Sequence, residues 1–196
     1  MGVTNFSTTL LKKHITGLKT VCELGAQNLY HSDYPGAPYA DVFYKKNGFE
    51  TYGCIDLNGE NNAMKINLSQ QWVPSIKYEL VTDFGTSEHV EHKSKFDWLA
   101  IYNCWRIKHE LLTVGGVMIN ENPKTGNWPL HGYCYYTQEF YSKLAYLMGY
   151  NILEIGEHPA MGNDTDGWNI FCILKKTQDN KFISLTKFKL LDLRTS

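Results

Sequence analysis

The sequence predicts an α/β protein whose mostly parallel sheet carries helices on both faces. Three observations carry that expectation. Short apolar runs alternate along the chain with stretches of helical period. Several runs stop abruptly at a carboxylate or a glycine, as in Glu23-Leu24-Gly25 and Ile55-Asp56-Leu57. The last two runs, residues 152–155 and 168–174, have only a polar, Gly-containing segment between them. A hairpin that sets one antiparallel strand into the sheet is the simplest way to join them.

The elements follow in order. Leu10, Leu11, Ile15 and Leu18 predict an amphipathic helix over residues 7–18. Residues 20–24 read as a buried strand bounded by Gly25. Residues 28–38 hold Pro35, Gly36 and Pro38 and read as a long loop. A helix is expected over 40–46, ended by Asn47-Gly48, then a second strand over 49–55. A short helical stretch after Asn58-Gly59 precedes a third strand over 65–68, and residues 70–75 connect it to a fourth over 78–83. Ser94 and Asp97 have capping-box spacing, and Trp98, Ile101, Tyr102, Trp105, Leu111 and Leu112 recur at helical period behind them. That stripe, with Cys104 and Cys172, is assigned to the core. Gly115-Gly116 is expected to stop the helix, with a strand over 117–120. Residues 121–136 form a loop rich in Pro, Gly, Asn and aromatics. Thr137 caps a helix bearing Phe140, Leu144, Leu147 and Met148, closed by Gly149. Residues 177–196 read as a tail that adds one more edge strand.

The length of 196 residues fits one domain, since domains commonly run to ~100–200 residues. Its core is expected over 19–176. With 19 Lys and Arg against 20 Asp and Glu, the net charge of -1 does not favour a polyanion, so nucleic acid is not an expected partner. The five cysteines are scattered, without a Cys-x-x-Cys pair, which fits buried free thiols in a reducing compartment. No signal-peptide core appears, and no run reaches the ~18 apolar residues of a membrane span. A soluble, cytoplasmic protein is the expectation.

Two strand ends, one offering a glycine for close backbone approach and the other an acid, point to a nucleoside-bearing cofactor in a crevice at the carboxyl edge. The ordered series Glu23-Leu24-Gly25, Ile55-Asp56-Leu57, residues 80–90 (Leu-Val-Thr-Asp-Phe-Gly-Thr-Ser-Glu-His-Val) and Gly115-Gly116-Val117-Met118-Ile119 resembles the class I S-adenosylmethionine-dependent methyltransferases over residues 19–176. The resemblance implies a Rossmann-like three-layer sandwich with a seven-stranded sheet and an antiparallel C-terminal hairpin strand. It also implies S-adenosylmethionine as cofactor. Carried over by position, Glu23, Gly25, Ala26 and Gln27 form the first cofactor motif, with Glu23 accepting from the methionine ammonium. Asp56 receives the ribose hydroxyls on its two oxygens, Leu57 lies near the adenine face, and Asn67 and Leu68 border the adenine edge. Asp83 and Gly85 end the fourth strand beside the reactive methyl. Glu88-His89 matches the family's acid–His pair. The turn departs from the family's usual Gly-x-Gly, reading Gly25-Ala26-Gln27-Asn28. The Asp/Asn-Pro-Pro-Tyr/Phe signature of amino-methylating DNA enzymes is missing.

Each residue also has a plainer reading. Glu23 could cap backbone amides, and Asp56 could cap the next helix. His89 and His92, at one-turn spacing, have the pattern of metal ligands, but a solvated segment is preferred for His92 and no metal is expected. His89 and His131, with Asp83, are the catalytic candidates, because an imidazole can deprotonate a hydroxyl or amine nucleophile. The aromatic loop Trp128-Pro129-Leu130-His131-Gly132-Tyr133-Cys134-Tyr135-Tyr136 either walls a ligand or packs on itself. The expectation is methyl transfer to a small molecule. A methyltransferase-like binding or regulatory module without catalysis is the alternative. A nicotinamide enzyme is disfavoured, since the three-glycine fingerprint is missing and the acid lies about thirty residues on rather than ~20.

Overall fold

Residues 2–91, 95–160 and 167–195 are described by the computed structural model. The main sheet comprises β1 (Thr20–Leu24), β2 (Thr51–Asp56), β3 (Met64–Lys65), β4 (Tyr78–Phe84), β5 (Leu112–Pro123), β6 (Tyr150–Pro159) and β7 (Trp168–Lys176). Their spatial order is β3-β2-β1-β4-β5-β7-β6. Strands β1 to β5 pair in parallel, and β7 runs antiparallel to both β5 and β6. The expected sandwich, with its one antiparallel strand, is the observed one.

Neighbouring residues along the central strands bury opposite faces, as a period of two requires. Leu80, Ile119 and Ile173 join Leu10, Leu11, Phe43 and Tyr44 in the layer of α1 (Asn5–His14) and α2 (Asp41–Lys46). Val81, Met118 and Cys172 join Cys104, Trp105, Leu144 and Phe188 in the layer of α3 (Trp98–Leu111), α4 (Gln138–Met148) and α5 (Leu185–Phe188). All five cysteines are buried free thiols.

Several boundaries differ from the sequence pattern, for identifiable reasons. Helix α1 begins at Asn5, because Thr4 and Ser7 form a reciprocal capping box ahead of the apolar stripe. The expected loop after β1 contains a strand, Asn28–Tyr30, which pairs in parallel with Gly2–Thr4 in a separate two-stranded sheet. Helix α3 is capped by Asp97, whose side chain accepts from Leu99 N; Ser94, the other half of the expected box, lies outside the described residues. That helix ends at Leu111, well before Gly115-Gly116. The buried Lys176 ammonium donates to the carbonyls of His109 and Leu112, both at 3.0 Å, so a cation closes the negative end of the helix dipole. The tail adds no strand to the main sheet. Arg194–Thr195 instead pairs with Cys134–Tyr135, covering the loop after β5.

A buried ion pair joins the sheet to α3. Lys108 Nζ stands 2.7 Å from Asp83 Oδ2, and neither side chain is exposed. The ammonium also lies 3.4 Å from the centroid of the Trp105 ring, a cation–π contact. Removing one partner of such a pair leaves an uncompensated buried charge, at a cost of roughly 3–5 kcal/mol. Asp83→Asn should therefore lower unfolding stability by about that amount, and the double variant Asp83→Asn/Lys108→Met should recover much of the loss. Denaturant titration of the three proteins measures both effects.

Candidate functional site

The strand order reverses at β1 and β4, whose connections leave in opposite directions and open a crevice at the carboxyl edge, where α/β sheets bind ligands. The turn after β1 is set by Gly25, with φ of 76°. A Cβ there would lie 2.5 Å from Thr86 Oγ1 and 2.7 Å from Gln27 Nε2, so any other residue meets both strain and collision. Gln27 is folded into the turn itself. Its Nε2 donates to Leu24 O at 3.1 Å and to Thr86 Oγ1 at 2.8 Å, while its Oε1 is buried with no hydrogen-bond partner. Thr86 Oγ1 in turn donates to Leu24 O at 2.8 Å. The β1 and β4 turns are thus one hydrogen-bonded unit, and a side chain occupies the space that a second glycine would leave open.

Asp56 ends β2 beside this unit. Its Oδ2 accepts from Ala26 N at 3.0 Å and its Oδ1 from Asn58 N at 2.7 Å. These bonds hold the turns on either side of it and not the next helix, whose N-cap Gly59 takes no side-chain hydrogen bond; a carboxylate has about four acceptor positions, and this one is only half-buried. Leu57, next in sequence, is 59% exposed, an apolar surface at the rim. Asn67 closes its own turn by accepting from Ser69 N and Oγ, whereas Leu68 is buried in the core.

Glu23 and Asp83 point elsewhere. Glu23 is fully buried against α2. Its oxygens lie 2.9 Å from Tyr52 Oη, 3.3 Å from Tyr44 Oη and 3.4 Å from Gln27 N. Asp83, expected beside the reacting atoms, has its carboxylate in the sheet–helix interior: Oδ1 accepts from Thr86 N at 3.0 Å and Ser87 N at 3.2 Å, and Oδ2 pairs with Lys108. Burial pushes the Asp83 carboxyl up, but the Lys108 charge and these hydrogen bonds more than offset it and hold it below the ordinary range.

What Asp83 does is shape the turn that delivers Glu88 and His89. Glu88 is fully buried, and its Oε2 accepts from Asn122 Nδ2 at 3.1 Å. Its Oε1 has no hydrogen-bond partner and stands 3.7 Å from His89 Nε2. His131 arrives from the loop after β5, its ring centroid 4.9 Å from that of His89 and 4.9 Å from that of Trp128. Tyr133 N donates to Glu88 O at 2.8 Å and clasps that loop onto the Glu88 backbone. Desolvation dominates all three groups, raising Glu88 to about 8 and lowering His89 to about 4, with His131 also lowered.

The fold thus brings His89 and His131 together, and gathers Gly25, Ala26, Gln27 and Asp56 around the crevice with Gly85 in the adjoining turn. Asn122 is the addition that sequence reasoning did not single out; Glu88 entered it with His89 as the family's acid–His pair, and Thr86 within the matched segment 80–90. The acid–His dipeptide was the available signal for Glu88; nothing local marks Asn122. His92 lies outside the described residues.

No family model matches the sequence, and no curated protein matches it. Solved structures do share the fold. The N-methyltransferase NodS of Bradyrhizobium japonicum, with S-adenosylhomocysteine, is similar at a TM-score of 0.62 and 12% identity, over 89% of both chains. The 1,6-didemethyltoxoflavin-N1-methyltransferase of Burkholderia thailandensis, with its substrate and S-adenosylhomocysteine, gives 0.60 and 12% over 89% of this chain and 78% of that one. An S-adenosylmethionine-dependent methyltransferase from Archaeoglobus fulgidus gives 0.53 and 11% over 87% and 93%. The fold is that of these methyltransferases.

The buried acid of β1 has a consequence for pH. Burial raises the Glu23 carboxyl to about 8, more than its hydrogen bonds from Tyr52, Gln27 and Tyr44 lower it. In the unfolded chain it ionises near ~4.3, so between these values the folded state keeps a proton that the unfolded state has released. Stability then falls as pH rises through the window, and levels above about 8. The contribution of one group is at most ~1.4 kcal/mol per pH unit. Glu23→Gln, which carries no proton to lose, should show a smaller decline between pH ~5 and ~8 in denaturant midpoints.

Proposed function

We propose that the protein transfers a methyl group from S-adenosylmethionine to an oxygen or nitrogen of a small-molecule acceptor. The observation that carries this reading is Asp56. It stands at the carboxyl end of β2, hydrogen-bonded to the turn after β1, with acceptor capacity left on both oxygens. The ribose diol of the cofactor would take those positions, and Leu57 would lie along the adenine. The Glu23 carboxyl and the Gln27 Oε1 are both enclosed, so neither is assigned the methionine ammonium.

When bound, S-adenosylmethionine supplies a methyl group on positively charged sulfur, which an acceptor lone pair can take. The chain's own task is then alignment more than chemical activation. Glu88 and His89 stand one short turn beyond the β4 end and, with His131 from the loop after β5, form the acceptor side, where an imidazole lone pair can receive the acceptor's proton. Asp83 acts only by holding that turn. Likeness of fold to the 1,6-didemethyltoxoflavin-N1-methyltransferase supports the acceptor class. The near-neutral composition gives no reason to invoke nucleic acid. No helix among the described residues is long and apolar enough to cross a membrane, and five buried free thiols favour a reducing compartment such as the cytoplasm.

One observation favours a second reading, a binding module without turnover: the Gln27 side chain fills the space beside Gly25. The two readings share the cofactor and differ in catalysis.

Calorimetric titration with S-adenosylhomocysteine should give saturable heat, and its absence would remove the cofactor assignment. Loss of charge-assisted hydrogen bonds costs about 1.5–3 kcal/mol, so Asp56→Ala should weaken binding by about tenfold or more. Asp56→Asn, which keeps one acceptor for the Ala26 and Asn58 amides, should weaken it less. Unchanged affinity in folded Asp56→Ala would sink the ribose assignment.

A further inference from the structure

Glu88, His89 and His131 form a group whose ligand atoms lie within 4.8 Å of one another. Two features set it apart from an ordinary polar cluster. First, Glu88 Oε1 belongs to a fully buried side chain and has no hydrogen-bond partner. An unsatisfied buried oxygen costs free energy unless something compensates it. Second, His131 Nε2 is also buried without a partner, on a ring edged against that of His89 at 4.9 Å. His89 Nε2 stands 3.7 Å from Glu88 Oε1, too far for a hydrogen bond. Three donor atoms from two separate loops thus converge, and no pair among them satisfies another.

We propose that Glu88, His89 and His131 bind a divalent transition-metal cation. Two imidazoles and one carboxylate are the donor set that suits zinc and its neighbours. At metal–ligand distances of about 2.0–2.2 Å the donors would sit roughly 3–3.5 Å apart, so the group closes on a cation by contraction, without rebuilding its loops. Much of the outer support is present. Asn122 Nδ2 holds the second Glu88 oxygen, and Tyr141 Oη donates to Asn122 Oδ1 at 2.9 Å; such partners orient ligands and tune affinity. Exposure of His89, whose side chain is 42% accessible, opens one side of the group to solvent. Three protein ligands leave coordination positions free for a water or an oxygen of another molecule.

The cation site stands on this geometry alone, but its use rests on the methyl-transfer reading. There, with the cation bound, the imidazoles would serve as ligands and no longer as the base, and an acceptor hydroxyl at the open position would be polarised and would release its proton to solvent. That favours acceptors able to present an oxygen to a cation over purely apolar amines.

The test uses the full chain stripped with a chelator and titrated with Zn²⁺ alone by calorimetry, with Co²⁺ absorption as a spectroscopic readout. Wild type should bind stoichiometrically and give visible Co²⁺ d–d bands shifted by imidazole ligation. His89→Ala, at an exposed position that tolerates truncation, and His131→Ala should each weaken Zn²⁺ binding by at least about tenfold, since losing even an outer partner costs about that much. Failure of wild type to bind Zn²⁺ stoichiometrically, or unchanged affinity in both variants, would overturn the site. A parallel S-adenosylhomocysteine titration of wild type keeps the two proposals separate, because cofactor binding without Zn²⁺ binding defeats only the metal, and the converse defeats only the methyl transfer.

Discussion

The Asp83–Lys108 ion pair is the constraint on which the crevice depends. Asp83 ends β4 at the point where the strand order reverses, and its carboxylate faces inward. One oxygen is fixed by an ammonium from the middle of α3, the other by the amides of Thr86 and Ser87. A single side chain therefore joins the sheet to the helix layer and also sets the course of the turn leaving the sheet. Thr86 then ties that turn to the one after β1. Displacing the carboxylate would move the Gly25 unit and the Glu88-His89 pair together. The Trp105 face and the two amides complete the solvation of the pair; a bare pair so deeply buried would not recover its desolvation cost.

Asp83 and Glu23 show how location divides the work of two buried acids one strand apart. Both are fully buried. Asp83 has a cation within 2.7 Å and stays ionised. Glu23 has only phenols and one amide, dipoles too weak to offset burial, and its carboxyl is held protonated to about pH 8. A neutral Glu23 can sit beside Tyr44 and Tyr52 as a packing element, which explains how a carboxyl comes to lie in the apolar layer of α2. The charge at the switch point is thereby confined to Asp83 and the half-buried Asp56.

Much of the fold was legible from residue patterns. Two-sided apolar runs ending in Gly25, Asp56 and Asp83 marked the parallel strands, and the missing helix before residue 168 marked the antiparallel one. What escaped were features fixed by partners remote in sequence. The short strand Asn28–Tyr30 is held by Gly2–Thr4 on one side and by Pro38 and Tyr39 on the other, and three residues of it carry no periodicity to read. Helix α3 stops at Leu111 because Lys176, from the far end of the chain, takes its carbonyls. At the site, Asp56 and Gly25 could be placed from strand ends alone. The inward rotamer of Asp83 could not, since it follows from Lys108. Spacing set His92 beside His89 as a ligand pattern and preferred a solvated segment for it; the contact of His89 with His131, from a separate loop, had no local signal.

His131 reaches Glu88 through backbone more than through its own side chain. Gly132 lies directly over Glu88, where a Cβ would come within 3.0 Å of both Glu88 Cγ and Glu88 O. Tyr133 N donates to that same carbonyl, and Tyr135 Oη bonds to Trp128 O and His131 N across the loop. The antiparallel pairing of Arg194–Thr195 with Cys134–Tyr135 presses the loop down from outside. Three independent restraints therefore fix the loop, and none of them uses the imidazole. A ring held this way, with a buried nitrogen that bonds to nothing, contributes little to its own placement. Its unmet hydrogen-bonding capacity is a cost that the fold sustains at this position, and a ligand for Glu88, His89 and His131 together is the economical account of why.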